Sequence, residues 1–213
     1  MFKILLLNIR DYGLKNIILI LTYELIYFFN SKYRKTLFLD ENSTNEYETL
    51  DKKSLNLNSK FNSPYLPTPF YFLEIVKKFI INYSLKDFYY IDFGCGAGRT
   101  LLFFKNDFKH VIGIDINDKY KKFIDKNCFF QMDLRNLNNV NIVKRKTNSI
   151  KYVLFFFEPF DMDLIEDIIK KFSEKKLFLI LINCNRLKNI NFKKIFSKYF
   201  NNNLKNISIY CNF

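Results

Sequence analysis

The chain has 213 residues, of which 49% are hydrophobic, and its 34 Lys and Arg against 21 Asp and Glu give a formal net charge of +13. This composition is typical of a globular protein with one core of ordinary size and excludes a mainly disordered chain. The 5 Gly and 4 Pro exclude collagen-like and proline-rich sequences. Four scattered cysteines without a CxxC pair, and a single His, exclude the common zinc spacings and disfavour a disulfide framework. We therefore expect no metal site and a reducing, cytoplasmic compartment.

The positive charge is concentrated in the C-terminal part of the chain. Residues 118–213 carry 19 Lys and Arg against 9 Asp and Glu. Such a basic region is typical of proteins with an anionic partner, such as nucleic acid, a membrane surface or a phosphorylated substrate. The chain is also crowded with Lys, Asn, Ile, Phe and Tyr, the residues of AT-rich codons. Runs such as Lys144-Arg145-Lys146 are therefore more often solvated surface than a binding patch.

An apolar segment lies near the N-terminus. From Ile17 to Phe29 the only polar side chains are Thr22 and Glu24. The segment is shorter than the ~20 residues that a membrane-spanning helix needs, and it carries a carboxylate in its middle. We predict an amphipathic helix over residues 14–34 that packs on the domain or on a partner, with peripheral membrane contact as the alternative.

A polar linker is predicted over residues 36–63, so that residues 1–63 form an N-terminal extension and residues 64–213 form the main domain. The elements predicted for the domain are a helix over 69–82, the strand Phe88–Phe93, a helix from Arg99, the strand His110–Ile116, a helix near 118–126, the strand Cys128–Met132, a polar insert at 134–149, the strand Tyr152–Phe157, a helix over 161–172, the strand Leu177–Asn183, a helix near 191–200 and a strand near 205–211. Alternating strands and helices indicate an α/β fold with a doubly wound, mostly parallel sheet.

A glycine-rich loop follows the first predicted strand. The segment Asp92-Phe-Gly94-Cys95-Gly96-Ala-Gly98 holds three of the five glycines in the chain. This clustering favours a backbone that turns sharply and lets a ligand approach closely. The loop leads into a helix N-terminus, whose N–H groups favour an anionic or polar ligand group. We interpret this loop, including the backbone of Cys95, as a cofactor-binding site.

The next strand ends on a carboxylate, Asp115, 17 residues after Gly98. An acid at this place can accept both hydroxyls of a ribose, so we place Asp115 and Ile116 beside an adenosine-like ligand. The loop reads GxGxG, and Arg99 stands where a dinucleotide fingerprint has its third glycine. Asp92 can hold an ammonium group, which suits a ligand that carries an amino acid better than a pyrophosphate.

These features together resemble the class I S-adenosylmethionine-dependent methyltransferases over residues 64–211. The resemblance implies a Rossmann-like methyltransferase fold with S-adenosylmethionine as cofactor. It extends to the segment Phe-Gln-Met-Asp133, since the family has an acid after the third strand that contacts the adenine amino group. Alternatively, Asp133 only caps a turn or helix.

Two further segments are similar to a bacterial methyltransferase group of undefined substrate, related to protein-lysine methyltransferases that lack a SET domain. They are Tyr65-Leu-Pro-Thr68-Pro and Phe-Glu158-Pro159-Phe160-Asp. One relative is the ATP-synthase c-subunit lysine methyltransferase family, which also has a Tyr-x-Pro segment. The resemblance implies that Tyr65 and Thr68 lie at the cofactor, unless they only fix the turn before the helix. It places Glu158, Pro159 and Phe160 at the methyl acceptor.

The acceptor loop departs from the pattern of the wider superfamily, which reads Asn/Asp-Pro-Pro-aromatic and holds a target amino group. Here the first position is Glu158 and the second proline is replaced by Phe160. Glu158 can accept a hydrogen bond from an amine, take a proton from a hydroxyl, or only cap the next helix. We therefore predict methyl transfer to an amine, a protein lysine among the candidates, or to a hydroxyl. The alternatives are a nucleic-acid methyltransferase that uses the basic C-terminal region and a methyltransferase-like binding module without catalysis.

Overall fold

The structure is a computed structural model that describes residues 10–34, 36, 67–157, 162–184, 187–188, 190–201 and 205–213. Its strands are β1 (Tyr89–Phe93), β2 (His110–Asp115), β3 (Phe129–Gln131), β4 (Lys151–Phe157), β5 (Lys176–Ile182), β6 (Lys193–Tyr199) and β7 (Asn206–Cys211). Its α-helices are α1 (Leu14–Phe28), α2 (Ser31–Arg34), α3 (Phe70–Ile81), α4 (Arg99–Phe104), α5 (Leu137–Thr147) and α6 (Met162–Lys171), and 3-10 turns span Leu85–Asp87 and Asp118–Lys122.

The strands form one sheet in the order β3-β2-β1-β4-β5-β7-β6. Strands β1 to β5 are parallel, whereas β7 runs antiparallel to both β5 and β6. After β1 the chain adds strands on one side of the sheet and then returns to add β4 on the other side. The carboxyl ends of β1, β2 and β4 therefore meet at one edge, at the point where the strand order reverses. Open α/β sheets bind their ligands in the crevice at this point.

The central strands are buried on both faces, because their side chains alternate between two hydrophobic cores. Tyr90 and Phe155 point into one core, and Phe93 and Phe156 point into the other, where their rings stack at a centroid distance of 4.8 Å. Burial on both sides explains why these strands read as continuous apolar and aromatic runs in the sequence. The predicted doubly wound, mostly parallel α/β fold is confirmed.

Two predictions about the elements between the strands are wrong, namely the polar insert at 134–149 and the helix near 191–200. The helix predicted near 118–126 holds only in part. The predicted polar insert at 134–149 contains the helix α5, whose Val140 and Val143 are fully buried. The Asn136 side chain caps this helix by accepting a hydrogen bond from the Asn138 N–H. A few apolar residues at helical spacing are therefore sufficient to form a helix when they face a hydrophobic core. The helix expected near 118–126 is only the 3-10 turn Asp118–Lys122.

The segment near 191–200 is the edge strand β6 and not the predicted helix. It pairs along its length with β7, with an irregularity between Lys194 and Phe196, and Ile195 and Phe196 pack against the core. Pairing with a distant part of the chain decides the conformation here, because the short apolar pattern fits both periods. The exposed Lys193 and Lys194 are typical of an edge strand that avoids further pairing.

The helix predicted over residues 14–34 is observed as α1, which ends at Phe28, followed by the short helix α2, and α1 packs with one face on α3. Tyr27 stacks on Phe70 at a centroid distance of 4.1 Å, and its hydroxyl donates a hydrogen bond to Glu74. The rings of Tyr23 and Tyr71 are also in contact, tilted at a centroid distance of 5.6 Å. In the part of the chain that the structure describes, no helix has the length and apolarity that crossing a membrane requires. The predicted linker 36–63 lies outside the described residues except for Thr36.

Candidate functional site

The glycine-rich loop connects β1 to α4 and turns through three glycines with positive φ. The φ angles are 81° at Gly94, 49° at Gly96 and 75° at Gly98, a region that other residues adopt only with strain. The Gly94 and Cys95 N–H groups both donate to the Ile114 carbonyl, at 2.8 and 3.1 Å. These bonds hold the loop against the end of β2. The predicted cofactor loop therefore has a fixed shape that depends on its glycines.

The Cys95 side chain has a packing role. Its thiol is buried, which raises its pKa well above the ordinary value, so it stays protonated. It fills the space above Gly113, where an added Cβ would lie 2.5 Å from the Cys95 Sγ and 2.6 Å from Leu101. The glycine on β2 thus lets the loop approach the sheet closely.

Asp115 joins the loop to the end of β2. Its Oδ2 accepts a hydrogen bond from the Gly96 N–H at 2.9 Å, and its Oδ1 accepts one from the Asn117 N–H at 2.9 Å. These two bonds fix the carboxylate at the carboxyl end of β2, next to the glycine-rich loop. Ile116 lies between Asp115 and Asn117 in the sequence and is half-buried. The geometry is compatible with the predicted ribose contact.

Asp92 is buried at the end of β1 and accepts a hydrogen bond from the Thr100 hydroxyl. Desolvation raises the pKa of Asp92 to about 7, the hydrogen bond from Thr100 opposes this rise, and the negative charge of Asp115 adds to it. Asp92 and Asp115 thus lie close together at one edge of the sheet, with Asp92 buried and Asp115 half-buried. A dry carboxyl of this kind is stabilised in its charged form by a cationic ligand group.

The third candidate acid, Asp133, follows β3 and is paired with Arg135. Its two oxygens accept hydrogen bonds from the guanidinium at 2.5 to 3.0 Å, and this contact lowers the pKa of Asp133. The Met132 N–H donates to the Asp115 carbonyl at 2.9 Å, which places this segment beside the end of β2. The contact of Asp133 with an adenine stays a prediction.

Arg99 is the residue that the sequence analysis missed. It follows Gly98 and is only 3% exposed, and its Nη1 donates to both carboxylate oxygens of Glu24 at 3.0 Å. The same guanidinium donates to the carbonyls of Thr68 at 3.2 Å and Thr36 at 3.3 Å, and it lies 4.5 Å from the ring centroid of Phe70. The predicted site residue Thr68 is buried and reaches the loop through Arg99.

The ion pair fixes the N-terminal helix to the cofactor loop. Glu24 also accepts a hydrogen bond from the Phe70 N–H at 2.9 Å, and so supplies a partner for a backbone N–H at the start of α3 that has no partner within the helix. Each partner is unusual in its own segment of the sequence, although neither one identifies the other. One is a lone carboxylate inside an apolar helix, and the other is an Arg in the first turn of a helix that opens directly after a glycine loop.

The N-terminal residues reach the same edge of the sheet at a second place. Asn183 directly follows β5 with a φ of +55°, and its side-chain amide donates to the Tyr12 hydroxyl at 2.9 Å. Asn183 also accepts a hydrogen bond from the Asn206 N–H at 3.3 Å. Tyr12 and Glu24 therefore hold the N-terminal segment near the candidate site.

Four predicted site residues, Tyr65, Glu158, Pro159 and Phe160, lie outside the described residues. Strand β4 ends at Phe157, one residue before Glu158 in the sequence, and its Phe156 pairs in register with Phe93 of β1. The chain therefore leaves β4 beside the start of the glycine loop. Among the described residues, no three His, Cys, Asp or Glu side chains lie close enough together to hold a metal ion.

Comparisons with known proteins connect this chain to solved structures only. No family model and no curated protein matches it. The rRNA methyltransferase aviRa from Streptomyces viridochromogenes superimposes with a TM-score of 0.53 at 9% identity, over 76% of this chain and 92% of that one. An rRNA methylase from Streptococcus thermophilus gives 0.47 at 10% identity, over 70% and 98%. The magnesium protoporphyrin IX methyltransferase of Synechocystis gives 0.45 at 12%, over 83% and 99%.

The chain thus has the Rossmann-like methyltransferase fold. The similarity to aviRa shows the fold alone, since the identity is 9%. The chemistry must therefore be argued from the side chains at the carboxyl edge of this chain's own sheet.

The ion pair between Glu24 and Arg99 predicts a stability effect. Glu24→Gln should lower the free energy of unfolding by about 2–4 kcal/mol, because it leaves the buried guanidinium without its counter-charge. The double variant Glu24→Gln/Arg99→Met should be more stable than the sum of the two single changes indicates. Urea unfolding of all four proteins measures this. Asp87→Asn, which removes the exposed partner of Lys151, is the control and should leave the midpoint nearly unchanged. Simple additivity would contradict the coupling.

Burial of Asp92 predicts a pH dependence of stability. The folded protein holds this proton up to a pKa of about 7, whereas the unfolded chain releases it near 3.8, so the contribution of Asp92 to stability falls as the pH rises between these values. Asp92→Asn should remove this fall and exceed the wild type at pH 7.5 by up to about 4 kcal/mol. Urea unfolding at pH 4.5 and 7.5 checks the difference, with Asp118→Asn as the control. Parallel pH profiles of wild type and Asp92→Asn would show that burial does not hold the proton.

Proposed function

We propose that the protein is an S-adenosylmethionine-dependent methyltransferase. The observation that carries the proposal is the arrangement at the carboxyl ends of β1 and β2. There the loop Gly94–Gly98 is held by Asp115, and the buried Asp92 lies beneath it. In the Rossmann-like methyltransferase fold, this arrangement lies in the crevice at the point where the strand order reverses.

The chemistry of these side chains fits the proposed cofactor. S-adenosylmethionine carries an ammonium and a sulfonium charge, a ribose and an adenine, and it supplies a methyl group that is already activated for transfer. Asp92 offers a buried carboxyl toward positive charge, and we assign the ribose hydroxyls to the Asp115 carboxylate at the end of β2. Asp133 is half-exposed, so its pairing with Arg135 leaves it accessible to an adenine amino group.

The acceptor is proposed to bind beside the segment that follows β4. Glu158 comes directly after this buried central strand, and Pro159 biases its backbone toward an extended conformation. A carboxylate held there can orient an amine or accept the proton that an amine or hydroxyl must lose. The resemblance of Glu158-Pro159-Phe160 to protein-lysine methyltransferases makes a lysine amine our first candidate.

A nucleic-acid acceptor is the second candidate, and one observation favours it. Lys121 and Lys122 are exposed on the 3-10 turn after β2, at the same edge as the glycine loop, within the region 118–213 that carries most of the net charge. Exposed lysines beside a site attract phosphates. The structural neighbour aviRa is itself an rRNA methyltransferase. A binding module without catalysis is the third possibility, and its loop would not need the three positive-φ glycines.

The cofactor proposal predicts binding of S-adenosylmethionine and of its demethylated product. Asp115→Ala should weaken both by about tenfold to a hundredfold, the effect of losing a charge-assisted hydrogen bond. Because Asp115 also holds the loop, Asp115→Asn serves as a milder variant, and Asp118→Ala, three residues further on, is the matched control. Isothermal titration calorimetry measures all four proteins. Binding of NAD without binding of S-adenosylmethionine would overturn the proposal.

The catalytic proposal predicts that Glu158→Gln separates cofactor binding from methyl transfer. Cofactor affinity should stay within about threefold of the wild type, while transfer should fall by ~10²-fold or more, because the glutamine cannot accept a proton. Transfer of labelled methyl groups to separated protein, RNA and small-molecule fractions of a cell extract measures the rate and identifies the acceptor class. Glu174→Gln, at an exposed turn before β5, is the matched control.

The fractions discriminate between the candidate functions. Label in protein that amino-acid analysis assigns to lysine would support the first candidate, and label in RNA would support the second. Cofactor binding without transfer to any fraction would favour the binding module. Equal transfer by Glu158→Gln and wild type would show that Glu158 is only a turn acid, even if the cofactor assignment stands.

A further inference from the structure

The helix α1 carries an apolar face that points away from the domain. We call its six large side chains the outer face: Leu14, Ile18, Leu21, Leu25, Ile26 and Phe29. Each is between 55% and 71% exposed, and together they are six of the eleven exposed large hydrophobic side chains in the described part of the chain. Contiguous exposed apolar surface of this kind marks an interaction site.

The rotation of α1 about its axis is fixed, so the outer face cannot turn inward. The opposite face holds Ile17, which is buried, and Tyr23 and Tyr27, which pack on α3. Glu24 on the same side is held by Arg99. Both faces of this helix are therefore apolar, and only one of them is covered by described residues.

In the described segment 10–34, the exposed charged side chains are all positive. The exposed charged residues between positions 10 and 34 are Arg10, Lys15, Lys32 and Arg34. The two acids of the same segment are Asp11, which pairs with Arg10, and Glu24, which pairs with Arg99. An apolar stripe whose exposed charged neighbours in residues 10–34 are cations is complementary to a surface that is apolar inside and negative at its rim, which describes an anionic lipid bilayer.

We propose that the outer face of α1 docks the protein on an anionic membrane surface. The helix has 15 residues and a length of about 22 Å, which is shorter than the hydrocarbon core of ~30 Å, so it would lie in the interface and not cross it. This proposal is independent of the proposed methyltransferase activity.

A second copy of the chain is the less suitable occupant of this face. In a two-fold antiparallel pair of α1 helices, the basic start of one helix at Lys15 would face the basic end of the other at Lys32 and Arg34. A parallel pair would bring identical cations together. Both arrangements place like charges opposite each other, which disfavours self-association, whereas anionic lipid headgroups neutralise them.

The chain contains no Trp, which allows a site-specific fluorescence test. Leu21→Trp places the single indole in the middle of the outer face, and Ile150→Trp places it at an equally exposed site elsewhere as the matched control. With vesicles of phosphatidylcholine and phosphatidylglycerol, the emission of Leu21→Trp should shift to shorter wavelength, because the indole enters an apolar environment. Added salt should reduce the shift, and phosphatidylcholine vesicles should give a smaller one.

Co-sedimentation with the same vesicles tests the face without a probe. Leu21→Glu/Leu25→Glu should lower partitioning by about tenfold or more, since it removes apolar contact and adds repulsion from anionic lipid. The matched control Ile81→Glu/Ile150→Glu should stay within about twofold of the wild type. Circular dichroism checks that both double variants fold. If Leu21→Glu/Leu25→Glu does not fold, the fluorescence of Leu21→Trp tests the proposal instead.

Three outcomes would overturn the proposal. The first is an emission from Leu21→Trp that anionic vesicles do not change. The second is equal partitioning by the wild type and the outer-face variant. The third is a protein that forms dimers, loses them on Leu21→Glu/Leu25→Glu, and shows no vesicle binding, which would assign the face to a second copy.

Discussion

The buried guanidinium of Arg99 is the constraint on which the arrangement of the N-terminal helix and the glycine-rich loop depends. A charge that is only 3% exposed must find acceptors, and here Glu24 and the carbonyls of Thr68 and Thr36 converge on it. These acceptors come from three separate parts of the chain. One residue after the glycine loop therefore determines where α1 and the start of α3 lie relative to the candidate site.

The candidate site itself is an electrostatic arrangement of acids at one edge of the sheet. Asp115 accepts hydrogen bonds from two backbone N–H groups, whereas burial raises the pKa of Asp92 to about 7. Their proximity makes a further negative group unfavourable there and a cationic ligand favourable. This preference is a property of the described side chains and supports a cofactor that carries positive charge over a pyrophosphate.

The N-terminal helix links this site to the outside of the molecule. Its inner face reaches the carboxyl edge through Tyr12 and Glu24, while its outer face is apolar and bordered by cations. A surface that α1 contacts would thus lie close to the candidate site. If that surface is a lipid bilayer, acceptors at the membrane would be near the site, whether they are proteins or small molecules.

The sequence by itself determined the features that depend on local residue types. Continuous apolar runs such as Tyr152–Phe157 predicted buried parallel strands, and glycines at three alternate positions predicted the tight loop, because only nearest neighbours decide these conformations. The acids at strand ends were found for the same reason, since their places follow from the strands.

Only the tertiary structure decided the features that depend on distant partners. The segment Lys193–Tyr199 is a strand because it pairs along its length with β7. Arg99 and Glu24 are 75 residues apart, and neither side chain shows in the sequence that burial would force them together. Contacts of this kind depend on how distant segments of the chain fold together, which a local sequence pattern does not determine.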